Sequence, residues 1–105
     1  MTKIPVFANV VVASSVPTLS ANLYAYRDIA LWANADVIYT LGPNNTVNAN
    51  AANVSVTHFL PANCRVELTT KRYPGVLDEY GNQYISFLRV GAANVSVYIS
   101  AYDTF

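Results

Sequence analysis

The chain has 105 residues, of which 53% are hydrophobic and only 11% charged, and its six basic and six acidic side chains leave no net charge. That length fits one domain, 1–105, with a core of its own, whereas about 25% charged residues is usual. The charge balance gives no support to nucleic-acid binding, and a single cysteine, Cys64, excludes an internal disulfide and suits a reducing compartment.

The first apolar run follows Lys3, is interrupted by Pro5 and Asn9, and ends near Ala13-Ser14-Ser15. It reads as a strand over residues 6–13, with Val6, Ala8, Val10 and Val12 on one face, and not as a signal peptide. No apolar stretch approaches the roughly 20 residues of a membrane-spanning helix. After Pro17, residues 19–26 read as a second strand with Leu19, Ala21, Leu23 and Ala25 inward and Tyr24 and Tyr26 outward. Residues 27–35 hold the short run Ile29-Ala30-Leu31-Trp32, which fits either a strand or one helical turn. Residues 37–41 form a strand that stops at the turn signal Gly42-Pro43-Asn44-Asn45. The charge-free tract 46–52 reads as a loop, because Asn accepts left-handed backbone and caps itself.

A strand over residues 54–59 follows, and Pro61-Ala62-Asn63 turns the chain. Cys64, Val66 and Leu68 then alternate with Arg65, Glu67 and Thr69, the pattern of a half-buried strand with the cysteine inward. Residues 71–83 carry charge around Tyr73-Pro74-Gly75 and Tyr80-Gly81-Asn82, an excursion with two turns. Residues 84–90 are apolar on both faces and suit a central strand. The last strand turns Val95, Val97, Ile99 and Ala101 inward, opposite Asn94, Ser96, Tyr98, Ser100 and Tyr102. Seven to eight short antiparallel strands define an all-β, single-domain β-sandwich of jelly-roll type.

One repeat crosses this pattern. Ala51-Ala52-Asn53-Val54-Ser55-Val56 recurs letter for letter at residues 92–97, and Ala8-Asn9-Val10-Val11-Val12 is a near-copy. Two halves of a sandwich sharing a motif would account for it, and so would the abundance of these residue types in strands.

Chemistry-bearing residues are sparse. His58 is in phase with Val54 and Val56 and lacks nearby partners for metal coordination. Cys64 shares the face of Val66 and Leu68, where a thiol is inert. Asp78 and Glu79 are neighbours on a turn and not carboxylates facing each other across a cleft. No nucleophile elbow, zinc helix, calcium loop or phosphate loop is present. The reading is of a protein that is not an enzyme, with no catalytic residue, cofactor or metal.

The eight tyrosines are more telling. A tyrosine joins a large contact area to a hydrogen-bonding tip and is enriched at interfaces. Tyr24, Tyr26, Tyr73, Tyr80, Tyr98, Tyr102 and Phe105 are the candidate interface residues. A neutral surface of Asn, Ser and Thr also favours association. A homo-oligomer is therefore expected, without nucleic-acid or membrane partners.

A short all-β chain, charge-poor and Ala/Asn/Val-rich, without a secretion signal and closing on the aromatic strand Tyr98-Ile99-Ser100-Ala101-Tyr102-Asp103-Thr104-Phe105, resembles the small virion structural proteins of tailed bacteriophages, the capsid decoration or cement proteins in particular. The resemblance lies in composition and strand style over the whole chain. It implies a trimer that binds the major capsid protein or another virion protein, reinforces the shell, and resides in the virion after synthesis in the host cytoplasm. The alternative is a carbohydrate- or receptor-binding module, lectin-like or at a fibre tip, that uses Trp32, exposed tyrosines and Asn side chains on a glycan.

Overall fold

In the computed structural model, residues 5, 7–23, 26–42, 47–50, 57–69 and 84–104 are described. They form eight strands and no helix: β1 (Phe7–Ala13), β2 (Thr18–Leu19), β3 (Tyr26–Ala33), β4 (Val37–Gly42), β5 (His58–Leu60), β6 (Val66–Thr69), β7 (Tyr84–Arg89) and β8 (Val95–Thr104). Sheet I has the order β1-β8-β3-β6 and sheet II the order β2-β7-β4-β5, and every pairing is antiparallel. The chain is thus a long hairpin rolled up on itself. β1 lies against β8, β2 against β7, β3 against β6 and β4 against β5. Two further pairings, β3 with β8 and β4 with β7, close each sheet. This is the strand order of a jelly roll, a β-sandwich made of two Greek keys.

Period-two patterning places the core between the sheets. Ile29, Leu31 and Ala33 of β3 and Val95, Val97, Ile99 and Ala101 of β8 face Val37 and Tyr39 of β4 and Ile85 and Phe87 of β7, all of them buried. Each large side chain among them contributes roughly 1.5–3 kcal/mol by leaving water. The inward set of β8 matches the sequence pattern residue for residue, and β7 is an internal strand, as its apolar character on both faces suggested.

Elsewhere the outcome differs from the expectation. In β1 it is Val11 and Ala13 that are buried, while Ala8, Val10 and Val12 form the outer face. The β8 register decides this, because Val11 and Ala13 stand opposite the buried Val97 and Val95. The second strand is only Thr18–Leu19, with Ala21 exposed and Leu23 buried. After Ser20 donates its N–H to Ile85 O at 2.8 Å and takes the Ile85 N–H on its hydroxyl at 3.1 Å, the chain leaves sheet II for sheet I. Tyr26 opens β3, so the ambiguous run at Ile29 is an internal strand.

The connections at one end of the sandwich hold each other. Asn63 takes the left-handed conformation, with φ 60°, that turns β5 into β6, and its N–H donates to Ala33 O at 2.8 Å. The Asp36 carboxylate accepts the Ala62 N–H at 2.7 Å. Asn34 Oδ1 accepts from Ser96 N at 3.1 Å, and Arg89 Nη1 donates to Asn94 Oδ1 at 2.8 Å. Of the repeated motif, residues 92–94 precede β8 in a bend and Val95-Ser96-Val97 begin the strand. The near-copy in β1 is its antiparallel neighbour, with Val12 opposite Ser96 and Val11 opposite Val97. The copy at residues 51–56, with Val54 and Val56, lies outside the described residues, as does the excursion 71–83.

Candidate functional site

The outer face of sheet I is built by the residues that alternate with the core. Register aligns Val10 of β1, Tyr98 of β8 and Trp32 of β3 in one row across three strands. They are 52%, 45% and 36% exposed, and Val12 stands beside them, also exposed. The Trp32 and Tyr98 rings lie 5.5 Å apart at an interplanar angle of 53°, a tilted pair of the kind that adds to packing. The next row holds Ser100 and Ala30, with Glu67 of β6 opposite Ala30. Ala30 faces outward and is nonetheless 5% exposed, because its larger neighbours overhang it.

Two small residues below two large rings leave a cleft of about 150 Å³, lined by Ala30, Leu31, Trp32, Arg65, Tyr98 and Ser100. Arg65 enters from the corner before β6. Its Nε donates to Glu67 Oε1 at 3.2 Å and its Nη2 to the Tyr102 hydroxyl at 3.4 Å, with Cζ 5.6 Å from the Tyr102 ring centre. The hydrogen bond to Tyr102, reinforced by Glu67, holds the Arg65 pKa above its ordinary value. Arg65 and Glu67 are both more than half exposed. An exposed pair of this kind contributes little to stability.

The outer face of sheet II is different. Its row is Phe59 of β5, Ile38 of β4 and Leu88 of β7, in register across three strands. Phe59 is 53% exposed. Farther along the same face, Thr40 and Ser86 point outward but are buried, because residues 47–50 and 57 fold over them. Ala49 N donates to Ser86 Oγ at 2.9 Å, and the Thr40 and Thr57 hydroxyls are 3.1 Å apart. Thr57 in turn donates to Asn50 O at 2.9 Å.

Of the residues singled out from sequence, the structure brings Tyr98 and Tyr102 to one face and Trp32 to the same place. Tyr24, Tyr73, Tyr80, Phe105, Asp78 and Glu79 lie outside the described residues, and Tyr26 is placed by its backbone alone. Cys64 is exposed and not inward with Val66 and Leu68. It sits in the corner after the left-handed Asn63, and strand alternation begins only at Val66. His58 is exposed on β5, its ring stacked 5.3 Å from that of the buried Tyr39. Burial raises the Tyr39 pKa above the ordinary value. Among the described residues, no cluster of three or more His, Cys, Asp or Glu side chains is arranged to hold a metal ion.

Sequence reasoning missed Arg65 as a residue lining the cleft and Phe59 as an exposed apolar side chain. The signal for the first was present in the outward phase of Arg65 and Glu67. What it lacked was the pairing of β3 with both β6 and β8, which brings them beside Trp32 and Tyr98. No family model matches the chain, and no curated protein and no solved structure is significantly similar to it.

Proposed function

We propose that this protein is a non-enzymatic structural subunit of the virion, a decoration or cement protein that oligomerises and stabilises a capsid shell by burying surface against it. The observation that carries the reading is the apolar row on the outer face of sheet II, in which exposed Phe59 continues into half-buried Ile38 and Leu88, in a chain with no net charge. Such a row has no donor or acceptor for a polar ligand, and a neutral chain has little charge to keep copies apart. A second protein surface is the occupant that suits both facts. Jelly rolls serve in viral coats and in lectins, a fold-level analogy that agrees with this reading and does not carry it. The partners are further copies of the chain, with a trimer favoured, and the major capsid protein or another virion protein. Binding to the assembled shell in preference to its free subunits stabilises the shell by mass action.

Two mass measurements test this: light scattering of the purified chain across concentration, and stoichiometry on capsid shells stripped of accessory proteins. Oligomers in solution, or saturable binding to shells that resist heat better as a result, are expected. A single 11.4 kDa species in solution that also fails to bind shells would overturn the reading.

A further inference from the structure

We propose that the cleft on the outer face of sheet I is a binding subsite for a single neutral pyranose ring. The site stands apart from the assembly surface: it belongs to the other sheet and rests on different residues.

Three observations define the occupant. The first is shape. Trp32 and Tyr98 wall a cleft of about 150 Å³ over a floor of Ala30 and Ser100, small residues that leave the depth. Pockets for drug-sized ligands run to roughly 300–1,000 Å³, so this one seats a single ring and little more. The second is the character of the walls. A pyranose presents an apolar C–H face and a rim of hydroxyls, which matches aromatic faces bordered by hydrogen-bonding groups. Arg65, with donors beyond those given to Glu67 and Tyr102, and the hydroxyls of Ser100 and Tyr98 supply that border. The third is charge. Glu67 pairs with Arg65. Among the described residues of this face, that pair leaves no surplus of positive charge to draw a phosphate or a carboxylate. A proline-rich peptide would also use aromatic walls, but it advances about 3.1 Å per residue and needs a longer groove.

The chain's single tryptophan is Trp32 itself, so its fluorescence reports directly on the cleft. Titrating the full chain with the methyl glycosides of glucose, galactose, mannose and N-acetylglucosamine should give, for at least one, a saturable change with an affinity in the millimolar range. Arg65→Ala should weaken that affinity about ten- to hundredfold, as expected for lost hydrogen bonds to a charged group. Arg65→Lys, which keeps the charge but loses the planar fork, should fall between the two. Val12→Ser, on the same face but outside the cleft, should leave it unchanged. Circular dichroism verifies the fold of each variant. The proposal is overturned if no glycoside gives a saturable change, if Arg65→Ala binds as well as the parent, or if inorganic phosphate or a proline-rich decapeptide binds more tightly than every glycoside. Phe59→Ser separates the two proposals, since it should leave the glycoside response intact whatever it does to assembly.

Discussion

On sheet I the outer row is Val10, Tyr98 and Trp32, all exposed, with Arg65, Glu67 and Tyr102 alongside; on sheet II it is exposed Phe59 with half-buried Ile38 and Leu88. Both rows cross three strands and stand on one core, yet they offer different chemistry. The first combines rings with hydroxyls and an exposed ion pair, and so satisfies an occupant that is apolar on one side and polar at its edge. The second has no polar side chain in its row, and the polar part of its face, Thr40 and Ser86, is already engaged by residues 49 and 57. A polar ligand placed on that row would lose its hydrogen bonds to water without replacement. The same fold thus sorts its two faces by what each can satisfy.

The largest break in this comparison comes from beneath it. Phe87 is fully buried on internal strand β7, its ring 6.3 Å from that of Tyr39. Phe87→Ala should cost about 3–5 kcal/mol, measured by denaturant unfolding, and should remove both surface functions together. Loss of one face with retention of the other would mean that the sheets do not share a core as the packing indicates.

The next effect separates the faces. Phe59→Ser should weaken association by about 2 kcal/mol if Phe59 is an assembly anchor, with a much smaller change in monomer melting. Tyr98→Ala with Tyr102→Ala should leave association intact while abolishing the glycoside response. The reverse pattern in sedimentation and fluorescence would move the assembly surface to sheet I, where the sequence alone had put it.

How much of this was legible depends on the asymmetry of each strand. In β8 one phase is Val95, Val97, Ile99 and Ala101 and the other is Ser96, Tyr98, Ser100 and Tyr102, so inside and outside are written plainly. In β1 the run Val10-Val11-Val12 is equally apolar in both phases. Only its pairing with β8 decides that Val11 goes in. The jelly roll also obscures local reading, because most connections change sheets. Residues 20–23 continue the pattern of a strand but spend it on the crossing from sheet II to sheet I. Cys64 failed for a related reason: a left-handed Asn63 resets the phase immediately before it. The cleft was invisible because Arg65 and Tyr98 meet only through β3, which lies between β6 and β8.

A smaller effect sharpens the picture of sheet II. Ser86→Ala removes the acceptor for the buried Ala49 N–H, a bond of 2.9 Å. An unsatisfied buried donor costs roughly 1–3 kcal/mol, so melting should fall modestly. Amide exchange at Ala49 should accelerate far more than exchange in β8. Unchanged exchange at Ala49 would show that the segment over sheet II is held by something other than this bond.

The smallest expected effect concerns Tyr39, which faces the core from β4 while its ring stacks on exposed His58. Burial disfavours the phenolate, so the folded protein retains this proton to higher pH than the unfolded chain, whose tyrosine titrates near 10.0. Below that pH both states are protonated, and the contribution to stability is fully present. As pH rises from the unfolded value through the raised folded one, the unfolded state releases the proton first, and the contribution is lost. Urea unfolding measured above pH 10 should therefore show stability declining with pH, and Tyr39→Phe should flatten the part of that slope due to this residue. An identical slope in the variant would place the alkaline loss elsewhere. It would also show that the wall of the core beneath the outer row of sheet II admits enough water to hydrate a phenolate, which a tightly packed support for Phe59 and Ile38 should not.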